Sequence, residues 1–188
     1  MALVDGSLGD AAASTSAAGY NPTARLRRRG IPITFRGHRY GSPPDVAELA
    51  QYAALPYVHL ADGLRICLIT SRGTRRWIIP KGWPKAQLRP HELAALEAEE
   101  EAGLLGEIAS DPIGSYSYRK RLHFFSSVTC RVLVFPLQVT AQEARWPERE
   151  ERELAWTPVA EAARMVNEPD LRRLLAALPL WIDAQAPR

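Results

Sequence analysis

Apolar and polar positions in the first half of the chain predict closely spaced strands. Runs of apolar, aromatic and β-branched residues are separated by short Gly-containing turns, which is typical of neighbouring strands in one sheet. The predicted elements are strands at 52–60, 64–71 and 76–80 and turns at 62–63 and 72–74, preceded by a short helical turn at 45–49. Because Pro56 has no backbone N–H, we expect the first strand to be an edge strand or to contain a bulge.

A helix is predicted next, between Pro90 and Gly103. Proline suits the first helical position, and Glu92 places negative charge near the positive N-terminal end of the helix. Gly103 is the residue type that most often follows a helix in the left-handed conformation.

The second half of the chain returns to strand signals and then ends in helical ones. The predicted elements are strands at 106–118, 126–139 and 154–156, a basic loop at 119–123, and helices at 158–166 and 169–184. The last helix has leucines at helical spacing, and Pro179 is expected to kink it or to end its first part. Strands, one central helix, strands and terminal helices together predict an α/β fold, an α/β/α sandwich with a mixed sheet.

Composition divides the chain into a tail and one domain. Residues 1–44 begin rich in Ala, Ser and Gly and continue into an arginine-rich arm without acidic residues, so we expect a disordered tail followed by a globular domain at 45–188. Three interpretations of the arm remain open. It could lack a specific partner, it could bind RNA, an acidic surface or a polyphosphate, or it could be a transit peptide. If the arm binds RNA, deletion of residues 1–44 should abolish a salt-sensitive affinity for RNA.

Charge and cysteine content narrow the expected classes of protein. The net charge of +3 and the pI near 9.1 favour polyanionic partners without requiring nucleic acid. No apolar stretch approaches the length of a membrane helix, so no membrane partner is expected. Cys67 and Cys130 lie in apolar runs, which predicts buried thiols in a reducing, cytoplasmic setting.

Acidic residues are concentrated on one face of the predicted central helix. Glu97, Glu100 and Glu101 fall within about 100° of arc, whereas Glu99 points the other way. Residues 63–91 contain no Asp or Glu. This concentration favours a site for a hard divalent cation such as Mg²⁺ or Mn²⁺. The alternative is an acidic face that only contacts solvent.

The segment 82–104 resembles the Nudix box. The family pattern is Gly, five residues, Glu, seven residues, Arg-Glu, an aliphatic residue, any residue, Glu-Glu, any residue, Gly and an aliphatic residue. The matching positions are Gly82, Glu97, Glu100, Glu101, Gly103 and Leu104, all in register. Two positions depart from the family pattern. Leu88 occupies the position of its first Glu, and Leu96 occupies the position of the arginine that orients the glutamates.

The resemblance implies a Nudix fold and a Mg²⁺- or Mn²⁺-dependent pyrophosphohydrolase. Glu97, Glu100 and Glu101 would be metal ligands and catalytic residues, and a glutamate outside the box, Glu150 or Glu151, would be an extra ligand or base. The expected substrate-binding residues are Arg72, Arg76, Lys81, Gly82 and Lys85. The basic cluster at 119–123 is open to two interpretations, phosphate contacts or solvated loop residues.

The substrate class also comes from the resemblance. The surroundings of the box look most like the subgroup that acts on diphosphoinositol polyphosphates and dinucleoside polyphosphates, which makes a phosphorylated small molecule the expected partner. Two alternatives remain open, a polyphosphate sensor of the same fold without turnover and an RNA-interacting protein that uses the basic tail.

Overall fold

A computed structural model of the chain describes residues 49–123 and 126–185. The predicted tail at 1–44 and residues 45–48 of the helical turn predicted at 45–49 lie outside these residues, whereas Leu49 is in a strand. In chain order the elements are β1 (Leu49–Leu60), β2 (Gly63–Thr70), β3 (Trp77–Ile78), β4 (Lys81–Gly82), α1 (Pro90–Ala102), β5 (Leu104–Ile108), β6 (Gly114–His123), β7 (Ser126–Gln142), β8 (Leu154–Pro158), α2 (Val159–Met165) and α3 (Pro169–Gln185).

The strands form one mixed sheet in the order β3-β2-β1-β7-β5, with β4 beside β1, β6 beside β7 and β8 beside β2. Strands β1 and β7 run parallel along their whole paired length, from Leu49 opposite Cys130 to Tyr57 opposite Gln138. The other pairings are antiparallel. Long strand β7 thus connects the β1 half of the sheet to β5 and β6.

Alternate residues of β1 supply two separate hydrophobic cores. Tyr52 and Ala54 pack on the face covered by α1, where helix residues such as Leu93 and Ala98 are fully buried. Ala53 and Leu55 pack on the opposite face, against leucines of α3 and Ala162 of α2. This alternation is what a sheet covered on both sides requires. The predicted α/β/α sandwich with a mixed sheet is therefore confirmed.

Pro56 lies in an interior strand, so the prediction of an edge position is wrong. The N–H of Ala54 donates to Pro80 O at 3.0 Å, and backbone nitrogens of alternate residues point to the same side of a strand. The nitrogen of Pro56 therefore points to this same side of β1. On this side β1 pairs with β4 as far as Ala53 and with β2 from Tyr57, so Pro56 lies between the two pairings. A missing donor is tolerated there.

Two boundaries in the second half also differ from the sequence expectation. The single strand predicted at 106–118 is two strands, β5 and β6, separated at 109–113. The loop predicted at 119–123 is strand, because β6 continues to pair with β7 as far as His123 opposite Ser126. In addition, α3 runs through Pro179, whose neighbours Leu175 and Leu178 are fully buried.

Across residues 49–123 and 126–185, no helix has the length and apolar character needed to cross a membrane. The two cysteines are free and buried, as predicted.

Candidate active site on helix α1

Helix α1 begins and ends where the sequence predicts. Pro90 is its first residue, and the N–H of the preceding Arg89 donates to Glu92 Oε2 at 2.8 Å. Gly103 ends the helix with a left-handed φ of 67°. The apolar side of α1 is buried on the sheet, which turns Glu97 and Glu101 inward beside it and leaves Glu100 partly exposed.

Strand β4 brings backbone against both inward glutamates. The Lys81 N–H donates to Glu101 Oε2 at 3.0 Å. At Gly82 the approach is closer, since a Cβ built there would lie 2.0 Å from Glu97 Oε1. Its φ is not in the positive region, so this glycine is required by the close approach and not by backbone conformation.

The three predicted ligands have cationic partners and do not converge on one point. Lys85 Nζ lies 3.6 Å from Glu97 Oε1 and 3.4 Å from Glu100 Oε2. Glu101 instead forms an ion pair with Arg152. In the part of the chain that the structure describes, no three Asp, Glu, His or Cys side chains are grouped so that they could hold a metal ion. The predicted trio is thus divided between a pair joined by Lys85 and a single glutamate held by Arg152.

Burial changes the charge properties of these groups. It raises the pKa of Glu97, and it raises the pKa of Glu101 to about 7 against the opposing effect of Lys81 and Arg152. The pKa of the Lys81 ammonium is lowered, again mainly by burial. Each shift disfavours the charged form in a poorly solvated place.

A segment that follows β7, residues 143–153, runs back along the C-terminal half of α1, and we call it the α1-docking segment. It contributes two residues that sequence reasoning missed, Glu148 and Arg152. Arg152 Nε is 2.7 Å from Glu148 Oε2, and Arg72 Nη1 is 3.1 Å from Glu148 Oε1. The charge of Glu148 is close enough to raise the pKa of Glu97.

Neither glutamate proposed from the sequence as the extra ligand is at this position. Glu150 is exposed, and Glu151 pairs with Arg72 at 3.2 Å. The alternating Glu and Arg residues of this stretch favoured a solvated loop with surface ion pairs. The i,i+4 spacing of Glu148 and Arg152 was the available signal, but it does not reveal burial.

The other predicted substrate-binding cations lie on two sides of the sheet. Arg72 and Lys85 lie on the α1 side, in the ion pairs described above. Arg76 Nη1 pairs with buried Glu168 at 3.1 Å, and the second carboxylate oxygen of Glu168 is buried without a partner among the described residues. Lys81 Nζ lies 5.9 Å from the centre of the Tyr118 ring, which packs on the α2–α3 side.

Part of the second basic cluster approaches the glycine turn. Lys120 Nζ lies 4.6 Å from the centre of the Trp83 ring, directly after Gly82. Its charge also lowers the pKa of Lys81. A cation of β6 therefore lies beside β4, as phosphate contacts by this cluster would require.

The two leucines that depart from the box pattern are in apolar surroundings. Leu88 packs against the core under α1. Leu96 lines a groove of about 350 Å³ between α1 and β5, together with Glu92 and Glu99. Neither position supplies charge to Glu101, whose arginine partner comes from the α1-docking segment.

The donor set around Lys85 fits a hard divalent cation. Glu97 and Glu100 present carboxylate oxygens to a single cationic group, and oxygen is the ligand that Mg²⁺ and Mn²⁺ prefer. Lys85 is 44% exposed and has a flexible side chain, so its two ion pairs are weak enough for another cation to replace it.

Comparison with known proteins agrees with this arrangement, although no protein-family model matches the chain. The chain is 32% identical over 116 residues to Nudix hydrolase 13, mitochondrial, of Arabidopsis thaliana, which covers 57% of this chain and 56% of the relative. It is 30% identical over 115 residues to Nudix hydrolase 16, mitochondrial, of the same organism, covering 60% and 63%. The matches thus span less than two thirds of the length of these relatives.

Solved structures share the fold at low sequence identity. A Caenorhabditis elegans Ap4A hydrolase in a binary complex superposes with a TM-score of 0.55 and 16% identity, covering 72% of this chain and 98% of that one. The NUDIX domain of Shewanella oneidensis NrtR, complexed with ADP ribose, gives 0.55 and 13%, covering 71% and 89%. The chain therefore has the fold of these Nudix structures and is similar in sequence to Nudix hydrolases of Arabidopsis thaliana.

Proposed function

We propose that the chain is a Nudix-type pyrophosphohydrolase that requires Mg²⁺ or Mn²⁺ and cleaves a diphosphate linkage in a highly phosphorylated small molecule. The main supporting observation is the position of the Lys85 ammonium between Glu97 and Glu100. A pair of carboxylates that already holds one cation, beside backbone too close for a Cβ, is suited to bind another.

The cation would be held by Glu97 and Glu100, the pair that Lys85 joins, with Glu101 and Glu148 as further carboxylates nearby. When bound, it would neutralise charge on the phosphate oxygens and lower the pKa of a coordinated water.

Substrate binding, positioning and proton transfer would depend on the residues around these carboxylates. Arg72 and Lys85 would balance the charge of phosphates on the α1 side of the sheet, and Lys81, Arg76 and Lys120 would balance phosphates that extend to its other side. Phosphoryl transfer needs chiefly an oriented nucleophile and fixed charges, so positioning by β4 and α1 is the main requirement. One of the glutamates, Glu148 included, would accept the proton of the attacking water.

Two substrate classes follow from this basic surface. Diphosphoinositol polyphosphates and dinucleoside polyphosphates both present several adjacent phosphates. The names of the similar structures, an Ap4A hydrolase and an ADP-ribose complex, support a nucleotide-like substrate. The spread of cations over both sides of the sheet is compatible with either class.

One observation favours a second candidate, a polyphosphate-binding protein without turnover. All three box glutamates are neutralised by cationic side chains, as expected of a protein that binds its ligand without metal. Such a protein would bind polyphosphates equally well with and without Mg²⁺ and would release no product.

A substrate panel separates the two candidates. Wild type, Glu101→Gln and Glu99→Gln are incubated with Ap4A, ADP-ribose and a diphosphoinositol polyphosphate, each with Mg²⁺, with Mn²⁺ and with a chelator. We expect cleavage of at least one compound by wild type with metal, little or none by Glu101→Gln, and a normal rate for Glu99→Gln, which lines the opposite groove. Absence of cleavage by wild type under all conditions, with metal-independent binding, would establish the second candidate.

A further inference from the structure

The α1-docking segment is attached to α1 at several points along its length. The N–H of Glu143 donates to Gly103 O at 2.8 Å, and the N–H of Glu148 donates to Glu100 O at 3.2 Å. Between them, Trp146 lies directly on Gly103, where a Cβ would come within 2.6 Å of the indole ring. These contacts fix the path of the segment beside the acidic face of the helix.

Arg152 is the most buried charged group of this segment. Only 4% of its side chain is exposed, and each guanidinium nitrogen has a different acceptor. Nη1 donates to Thr70 O of β2 at 2.9 Å, Nε donates to Glu148 at 2.7 Å, and Nη2 donates to Glu101 of α1. A planar fork with fixed donor directions is needed to satisfy three acceptors at once.

The charges around Arg152 explain why Glu148 can remain beside α1. Glu101 is buried and Glu148 is only 20% exposed, so the proximity of two ionised carboxylates is unfavourable without a cation between them. Arg72 also reaches Glu148, but it is more than half exposed and lies on the solvent side of the carboxylate. Without Arg152, Glu148 would keep its 3.1 Å contact with the exposed Arg72 but would lose the cation that lies between its charge and that of Glu101.

We propose that Arg152 is a positioning residue that holds Glu148 next to Glu101 and so makes Glu148 part of the carboxylate set available to a divalent cation. This inference rests on the proposed function, because it assigns a supporting role within the same site. Arg152 acts through the two glutamates, with its third hydrogen bond anchored on the rigid backbone of β2.

The test compares Arg152→Gln, Arg152→Lys, Glu148→Gln and the Arg152→Gln/Glu148→Gln double variant with wild type. Arg145→Gln is the matched control, since Arg145 is an exposed arginine of the same segment. Three quantities are measured for each: Mn²⁺ affinity from the electron paramagnetic resonance signal of free Mn²⁺, urea unfolding without metal, and kcat and KM.

We expect Arg152→Gln to weaken Mn²⁺ binding and to lower kcat by about 10-fold to 100-fold, the usual effect of losing a partner of a metal ligand, with KM changed less than about threefold. Arg152→Lys should be intermediate, because one ammonium group cannot satisfy three directed acceptors. The double variant should bind Mn²⁺ about as weakly as Arg152→Gln alone, because the loss of Arg152 already takes Glu148 out of the carboxylate set. Arg145→Gln should match wild type in all three measurements.

Other results would overturn the inference. A purely structural role predicts lower stability with unchanged Mn²⁺ affinity and additive effects in the double variant. If Arg152→Gln does not fold, Arg152→Lys decides the matter, since wild-type Mn²⁺ affinity in that variant contradicts a positioning role. Wild type that binds no Mn²⁺ contradicts it as well. Wild type that binds Mn²⁺ and shows the predicted coupling but hydrolyses nothing contradicts only the proposed function.

Discussion

Gly82→Ala is a small change that tests the geometry of the site with little effect on the fold. The added Cβ would lie 2.0 Å from Glu97 Oε1 and 2.1 Å from Glu97 Cδ, whereas ordinary contacts begin at 3.4 Å. The carboxylate must therefore retreat by about 1.4 Å. It can do so, because it is the end of a flexible side chain and the three atoms nearest to this Cβ all belong to that side chain.

The cost in stability should be small. The displaced carboxylate gives up an ion pair of 3.6 Å with Lys85, and a pair with a half-exposed partner is worth at most about 1 kcal/mol. For a domain of this size that amounts to a fall in Tm of less than about 4 °C. The backbone of residue 82 is not in the left-handed region, so alanine adds no conformational strain.

The cost in activity should be large. A shift of about 1 Å in a group that orients the reaction lowers the rate about 100-fold, or about 2.7 kcal/mol in activation free energy. Initial rates of diphosphate hydrolysis with Mn²⁺ and thermal unfolding are measured for Gly82→Ala and for Gly73→Ala. The control has open space around its added Cβ and should match wild type in both.

Two outcomes would refute this reasoning. Full activity in Gly82→Ala would show that the position of the Glu97 carboxylate does not matter for the reaction. Unfolding of Gly82→Ala, with Gly73→Ala stable, would show that Glu97 cannot move and that the close approach serves the fold instead.

Two further predictions concern buried groups away from the glutamates of α1. Arg76→Met should lower the free energy of unfolding in urea by about 1–3 kcal/mol, because it leaves the buried Glu168 carboxylate without its cation. Adding Glu168→Gln to this variant should recover part of the loss. A decrease of less than about 0.3 kcal/mol in Arg76→Met would contradict this prediction. Burial raises the pKa of the Cys67 thiol to about 12, so folded protein at pH 8 should resist iodoacetamide at this residue and react at the rate of a free thiol in denaturant. Rapid alkylation of Cys67 in the folded state would disprove it.

Local signals in the sequence were enough to predict helix α1 and the common face of its glutamates. Pro90, Glu92 and Gly103 act within one or two turns of the helix ends, and the spacing of Glu97 and Glu101 fixes their common face. The apolar runs were also assigned from local patterns, and their assignment to strands of a sheet covered on both faces was correct.

Long-range partners could not be predicted in the same way. Arg152 is separated from Glu101 by 51 residues, and its burial depends on the path of the α1-docking segment. The extension of β6 to His123 depends on its register with β7, which outweighs the loop-like composition of a basic stretch. Pro56 is likewise accommodated only because β1 changes partner at that residue.

The central claim is that the acidic face of α1 binds a divalent cation. Mn²⁺ titration followed by electron paramagnetic resonance, on wild type, Glu97→Gln/Glu100→Gln and the control Glu99→Gln/Glu107→Gln, tests it most directly. The account predicts saturable binding by wild type and by the control, and loss of that binding in Glu97→Gln/Glu100→Gln while its thermal unfolding stays cooperative. Equal Mn²⁺ affinity in all three proteins, or no binding by wild type, would contradict it.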